Sequence, residues 1–225
     1  MTEKKIIVAI DNSCETQAVD ILNKLSPELC MVKIGSVVYN SLGRDFIELT
    51  HKKGFQIFLD LKFHDIPNTV KESILGIKSL PIQMLTIHTS GGLNMMKAAM
   101  EAVTGTNIKV FGVTALTSLS NDDVKYIFQR DVSDQVNAML DLAEQAGIDG
   151  VVCSPHELQL VKARDCFLSV IPGIRLLQSE DDQSRVMTPS QAIELGADYL
   201  VIGRPITGAQ DISSALENIY QSINA

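Results

Sequence analysis

The chain has 225 residues, 45% of them hydrophobic, and a formal net charge of −8 at pH 7. That length bounds one large domain or two small ones and suffices for a substantial buried core. The acidic balance argues against a nucleic-acid or membrane surface, while leaving room for a local basic pocket that takes an anionic substrate. The four cysteines, Cys14, Cys30, Cys153 and Cys166, form no CxxC pair and no zinc spacing, as expected of reduced thiols in a cytoplasmic protein. The opening MTEKKIIVAI lacks a signal-peptide pattern, and no apolar run approaches the roughly 20 residues that cross a bilayer.

Along the chain, short β-branched apolar runs alternate with helical patterns. The predicted strands are 6–10, 31–34, 57–61, 85–88, 109–113, 150–153, 168–171 and 199–202. Helical periodicity falls at 14–25, 37–53, 67–79, 92–103, 133–146, 155–164, 189–196 and 210–222, with an extra helix expected around 120–130. Ser133 stands where an N-cap belongs, and Gly147, Gly54 and Gly196 stand where helices end. The strands are nearly all apolar, as strands covered on both faces must be. Eight strand–helix units, without a linker or a glycine fingerprint after the first strand, predict a single-domain (β/α)₈ TIM barrel over residues 1–225 rather than an open doubly wound sheet.

In such a barrel, chemistry collects where strands end and βα loops begin. Asp11 follows the first strand, Lys33 lies in the end of the second, and Asp60, Lys62 and Asp65 stand at the end of the third. Asp60 and Lys62 are two apart on a strand and so share a face. Buried charges are costly unless paired, and Lys33, Asp60, Lys62 and Asp65 alternate in sign, which permits a self-satisfying network. The bland alternative is a solvated set of strand-end charges, weakened because three neighbouring strands contribute.

The other side of the rim is glycine-rich. The seventh strand runs into Pro172-Gly173-Ile174-Arg175, and the eighth into Gly203-Arg204-Pro205. Loops after these strands commonly hold phosphate through backbone N–H groups, and Arg204 can meet it as a fork. The polar stretch from Arg175 to Thr188 has the length of a lid. His88 reads as hydrogen-bonded scaffolding, His64 as a residue turned away from Lys62, and His51 and His156 as helix surface. Ser118 has no paired histidine at recognisable spacing, against a Ser-His-Asp hydrolase.

The run Asp60-Leu61-Lys62-Phe63-His64-Asp65-Ile66-Pro67-Asn68-Thr69 resembles the DxKxxDI[GP]xT signature of the orotidine 5′-phosphate decarboxylase family at every fixed position. The likeness extends through Ala9-Ile10-Asp11, Val32-Lys33-Ile34-Gly35, Val113 to Ser118, Pro172 to Arg175, Asp182-Gln183 and Ile202 to Thr207. It implies a cofactor-free decarboxylation of orotidylate to UMP. Lys62 would protonate C6, Asp60 would lie against the substrate carboxylate, and Asp11 and Lys33 would hold ribose hydroxyls. Thr117 and Ser118 would face the pyrimidine, with Ile66 and Pro172 as apolar wall. Arg175, Gln183 (or Gln178), Gly203 and Arg204 would hold phosphate. Asp65 and Thr69 would reach into the neighbouring site of a homodimer. The DxKxxD core is shared with metal-dependent phosphosugar decarboxylases and aldolases, which remain the first rival. A Schiff-base aldolase using Lys62 and a non-catalytic nucleotide sensor are weaker ones.

Overall fold

The computed structural model describes residues 4–174 and 187–224. Eight parallel strands close into a barrel in chain order: β1 (Ile6–Ile10), β2 (Cys30–Gly35), β3 (Ile57–Phe63), β4 (Met84–His88), β5 (Lys109–Val113), β6 (Gly150–Val152), β7 (Leu168–Ile171) and β8 (Tyr199–Ile202), with β8 pairing back onto β1. The α-helices among the described residues are α1 (Glu15–Lys24), α2 (Ser36–Lys52), α3 (Pro67–Ile77), α4 (Gly92–Val103), α5 (Asn121–Phe128), α6 (Val132–Ala146), α7 (Leu158–Lys162), α8 (Pro189–Glu194), α9 (Arg204–Thr207) and α10 (Ile212–Asn224). This is the (β/α)₈ architecture expected from the alternation. The extra helix expected near 120–130 is α5, fixed by a Ser120–Asp123 capping box.

The helices form for local reasons. Pro67 begins α3 with its φ already helical, and α4 buries Met95, Met96, Ala99, Ala102 and Val103 along one side. Helix α6 ends as expected at Gly147, whose φ of 69° suits a residue without Cβ. Its N-cap is Asp131 rather than Ser133, because helical geometry begins at Val132. The single helix expected at 155–164 is a 3₁₀ turn at Pro155–Glu157 followed by the short α7. The short α9 directly after β8 was not foreseen.

Two apolar cores follow from the two faces of the strands. One lies between the strands and the surrounding helices and contains residues such as Val8, Ile10, Val32, Ile57, Leu85 and Val110. The other fills the barrel's interior with Ile7, Ala9, Met31, Phe58, Met84, Phe111, Val170, Tyr199 and Val201. Phe111 packs edge-on against Phe58 and Tyr199, with centroids 6.1 and 6.2 Å apart. Burying one such side chain is worth about 1.5–3 kcal/mol, so this plug stiffens the floor beneath whatever lies above it.

What lies above follows from the period of two. Moving up two residues on β2, β3 and β4 leads from Met31 to Lys33, from Phe58 to Asp60 and from Met84 to Thr86. These polar residues therefore share the interior face at the C-terminal end of the barrel.

Candidate active site

Asp60 is the centre of the upper layer. It is buried, and both carboxylate oxygens accept hydrogen bonds from Lys62 Nζ at 2.8 Å. Thr86 Oγ1 donates to Asp60 Oδ1 at 2.9 Å, and Lys33 Nζ lies 3.5 Å from Oδ2. Lys33 also donates to Asp11 Oδ1 at 3.3 Å. Burial alone would push the Asp60 carboxyl up. The Lys33 and Lys62 charges, with the hydrogen bonds from Lys62 and Thr86, outweigh it and hold the group below its ordinary value.

The backbone makes room for this cluster. Up to Leu59, β3 pairs regularly with β4, but Phe63 then pairs with Ile87, so β3 spends four residues where β4 spends two. Within this bulge Lys62 has φ 52°, a left-handed conformation that costs a non-glycine residue about 1–2 kcal/mol. Asp60 and Lys62 do meet, as expected, although across a bulge rather than along a regular strand. On β2, a Cβ at Gly35 would stand 3.0 Å from Lys33 Nζ, so the missing side chain is space for that ammonium.

Above the network opens a cleft of about 250 Å³, whose wall includes Val113, Ala115, Leu116, Val152, Pro172 and Val201. Its charged lining consists of Lys33, Asp60 and Lys62, and Thr117 adds a hydroxyl. One side of the cleft is therefore an ion network and the other is apolar. Asp11, Ser118 and Arg204 are exposed, the last as the first residue of α9, and Gly203 is half-buried as that helix's N-cap.

Residues 4–219 match the family described as orotidine 5′-phosphate decarboxylase / HUMPS. The chain belongs to this family. Relatives named orotidine 5′-phosphate decarboxylase include one from Shewanella sediminis, 44% identical over 100% of this chain and 99% of that protein. Another, from Coxiella burnetii, is 47% identical over 98% of this chain and 97% of its own length. A crystal structure of orotidine 5′-phosphate decarboxylase from Lactobacillus acidophilus superposes with a TM-score of 0.88 at 38% identity, covering 99% of this chain and 100% of that one. The enzyme of that name from Pyrococcus horikoshii OT3, 21% identical with a TM-score of 0.81, extends the likeness of fold.

Of the residues that the family signature singles out, Asp11, Lys33, Asp60 and Lys62 are brought together. Asp65 is not: its Oδ1 accepts from the N–H of Ile66 at 2.6 Å, and it takes part in no ion pair among the described residues. The bulge ends before Asp65, leaving it exposed on the β3–α3 loop with Ile66 (66% exposed) and with Thr69 on the first turn of α3. The expected four-charge alternation is therefore, within one chain, a network of Asp11, Lys33, Asp60 and Lys62. Arg175, Gln178 and Gln183 lie outside the described residues. His64, expected to turn away from Lys62, has its ring 5.2 Å from that of His88.

Thr86 was missed by sequence reasoning. It is fully buried, donates to Asp60, and accepts the backbone N–H of Lys62 at 2.8 Å. The available signal was a hydroxyl at an inward position of an otherwise apolar strand. Threonine is also a good strand former, so the signal was easily read as propensity. Among the described residues no group of three or more His, Cys, Asp or Glu could hold a metal ion, and no helix is long and apolar enough to cross a membrane.

Proposed function

We propose that this chain decarboxylates orotidine 5′-monophosphate to uridine 5′-monophosphate, with Lys62 as the general acid and without a cofactor. The observation that carries the reading is the Lys62 ammonium held on both oxygens of buried Asp60 beside an apolar-walled cleft. In the reaction the bond from C6 to the carboxyl carbon breaks and its electron pair stays on C6. A fixed cation in a dry site stabilises that charge as it develops. A proton then passes from Lys62 Nζ to C6, CO₂ departs, and solvent reprotonates the amine.

The rest of the network fits this task. Asp60 holds the Lys62 ammonium in place through both oxygens, and its carboxylate would stand against the substrate's own, so that loss of CO₂ removes a repulsion. Lys33 and Asp11 are suited to ribose hydroxyls, and Thr117, Ser118 and Pro172 to the pyrimidine. Gly203 and Arg204, with Arg175 and Gln183, are our candidates for the phosphate. Asp65, Ile66 and Thr69 form an exposed group at the rim, which supports a homodimer in which Asp65 and Thr69 complete the neighbouring site. In that assembly Asp65 would join the charge alternation from the other chain.

The test is the ultraviolet absorbance change on adding orotidine 5′-monophosphate in the presence of a chelator. Conversion to UMP that is lost in Lys62→Ala is the expected result. No conversion by well-folded protein would overturn the reading in favour of phosphosugar chemistry. Conversion abolished by chelator alone would overturn its cofactor-free part.

A further inference from the structure

We propose that Thr86 is a positioning residue of this site, locking the backbone of Lys62 and the carboxylate of Asp60 with one hydroxyl. The proposal rests on the decarboxylase reading above. A hydroxyl has one proton to give and lone pairs to receive. The Lys62 N–H can only donate, so Thr86 Oγ1 accepts there, at 2.8 Å, and its proton goes to Asp60 Oδ1, at 2.9 Å. The direction of both bonds is thus determined without choice.

The bonds close a ring. Lys62 N–H donates to Thr86, Thr86 donates to Asp60, and Asp60 accepts from Lys62 Nζ. Lys62 is gripped at its backbone by Thr86 and at its tip by Asp60, and those two partners are bonded to each other. This grip stands where the regular ladder fails. The register breaks between Leu59 and Phe63, and the N–H that the bulge frees is taken up by a side chain of β4. The left-handed φ of Lys62 persists only if its surroundings hold it there. Thr86, fully buried between the apolar core below and the cleft above, is the group that does so. Its γ-methyl and branched Cβ restrict its own rotamer, so the lock is itself rigid.

The proposal separates positioning from substrate binding, because Thr86 is not among the residues lining the cleft. Thr86→Val keeps the shape and removes the hydroxyl, and Thr86→Ser keeps the hydroxyl and removes the methyl. A misplacement of about 1 Å in the reacting group costs on the order of 10²-fold. We expect kcat for orotidine 5′-monophosphate to fall by about that factor in Thr86→Val, with UMP affinity measured by calorimetry changed less than about 3-fold. Thr86→Ser should recover most of the loss. The amide of Lys62, followed by hydrogen exchange, should lose protection in Thr86→Val and keep it in Thr86→Ser. Wild-type kcat in a folded Thr86→Val protein would overturn the proposal, as would a loss that Thr86→Ser does not restore or that UMP binding shares in full. If the wild-type protein leaves orotidine 5′-monophosphate unchanged, the decarboxylase reading fails, and the positioning role falls with it. In that case the amide exchange still shows whether the lock itself exists.

Discussion

The two halves of the barrel's upper rim are built on different terms. On β2, β3 and β4 the charges satisfy one another within the chain. Lys33 side-chain exposure is 12%, Asp60 is 11%, and each has a partner within 3.5 Å. On the β7–β8 side the described residues offer an exposed Arg204 at the start of a four-residue helix and the half-buried Gly203 before it. The first half is organised by contacts within the chain. The described part of the second half presents an exposed cation beside a glycine backbone. Chemistry that depends on an accurately held cation suits the first, and on the proposed function remote binding energy suits the second.

The sharpest way to break this comparison is to remove the cation. Lys62→Ala should lower kcat/KM for orotidine 5′-monophosphate by at least about 10⁴-fold, since in the proposed mechanism it removes both the proton donor and the charge that stabilises the carbanion. UMP formation in a stopped assay measures it. Circular dichroism should report an intact fold, because Asp60 retains Lys33 and Thr86. A loss of only about 10-fold would mean that the organised half is scaffolding.

Asp60→Asn is the next largest effect and bears on both activity and folding. The carboxamide cannot balance Lys33 and Lys62 together, so we expect kcat to drop by about 10²–10³-fold. Breaking a buried pair from one side costs about 3 kcal/mol, which for a chain of this size lowers Tm by roughly 10 °C. Unchanged turnover would remove the idea that the Asp60 carboxylate acts on the substrate.

Arg204→Ala should then behave in the opposite way. It should leave Tm within about 1 °C, as befits an exposed side chain, yet lower kcat/KM for orotidine 5′-monophosphate by about 10²-fold. Phosphate binding energy is expressed in the transition state only when phosphate is present. On the nucleoside orotidine the same variant should lose little. Equal losses on both substrates, or a Tm penalty matching that of Asp60→Asn, would erase the distinction between the halves.

The sequence carried more of the organised half than its chemistry alone suggests. Apolar runs of strand length at regular intervals located all eight strands, because strands buried on both faces leave little choice of residue. Charges at the ends of three neighbouring strands then stood out against that background. The bulge at Lys62 was not legible, since a period of two describes a regular strand and nothing in Asp60-Leu61-Lys62 announces a positive φ in a residue other than glycine. Thr86 was hidden for a related reason: its hydroxyl has meaning only against the freed N–H across the ladder. The isolation of Asp65 from the in-chain network also depends on where the bulge ends. At the other half, glycine and proline marked the turns, but not the short helix that they introduce.

The smallest effect is the pH dependence of the organised half, and it tests whether that half is formed before ligand binds. Burial opposes ionisation of Asp60, but Lys33, Lys62 and the hydrogen bonds from Lys62 and Thr86 prevail, so its folded pKa lies below the ordinary one. A carboxyl depressed on folding contributes stability that is fully present above its unfolded pKa, about 3.9, and is lost as pH falls through the folded value. The Tm difference between wild type and Asp60→Asn should therefore change little from about pH 7 to pH 5 and shrink below about pH 4. His88 titrates in both proteins: burial lowers its pKa first, and then His64 and Lys62. Most of its contribution cancels in the difference. What remains is the pull of Asp60, which raises the His88 pKa in the wild type alone, so protonating His88 is slightly easier there and the gap widens slightly toward acid before it closes. A gap that fails to shrink below about pH 4 would mean an Asp60 carboxyl that is not depressed. The Lys33 and Lys62 charges would then not be what organises that half.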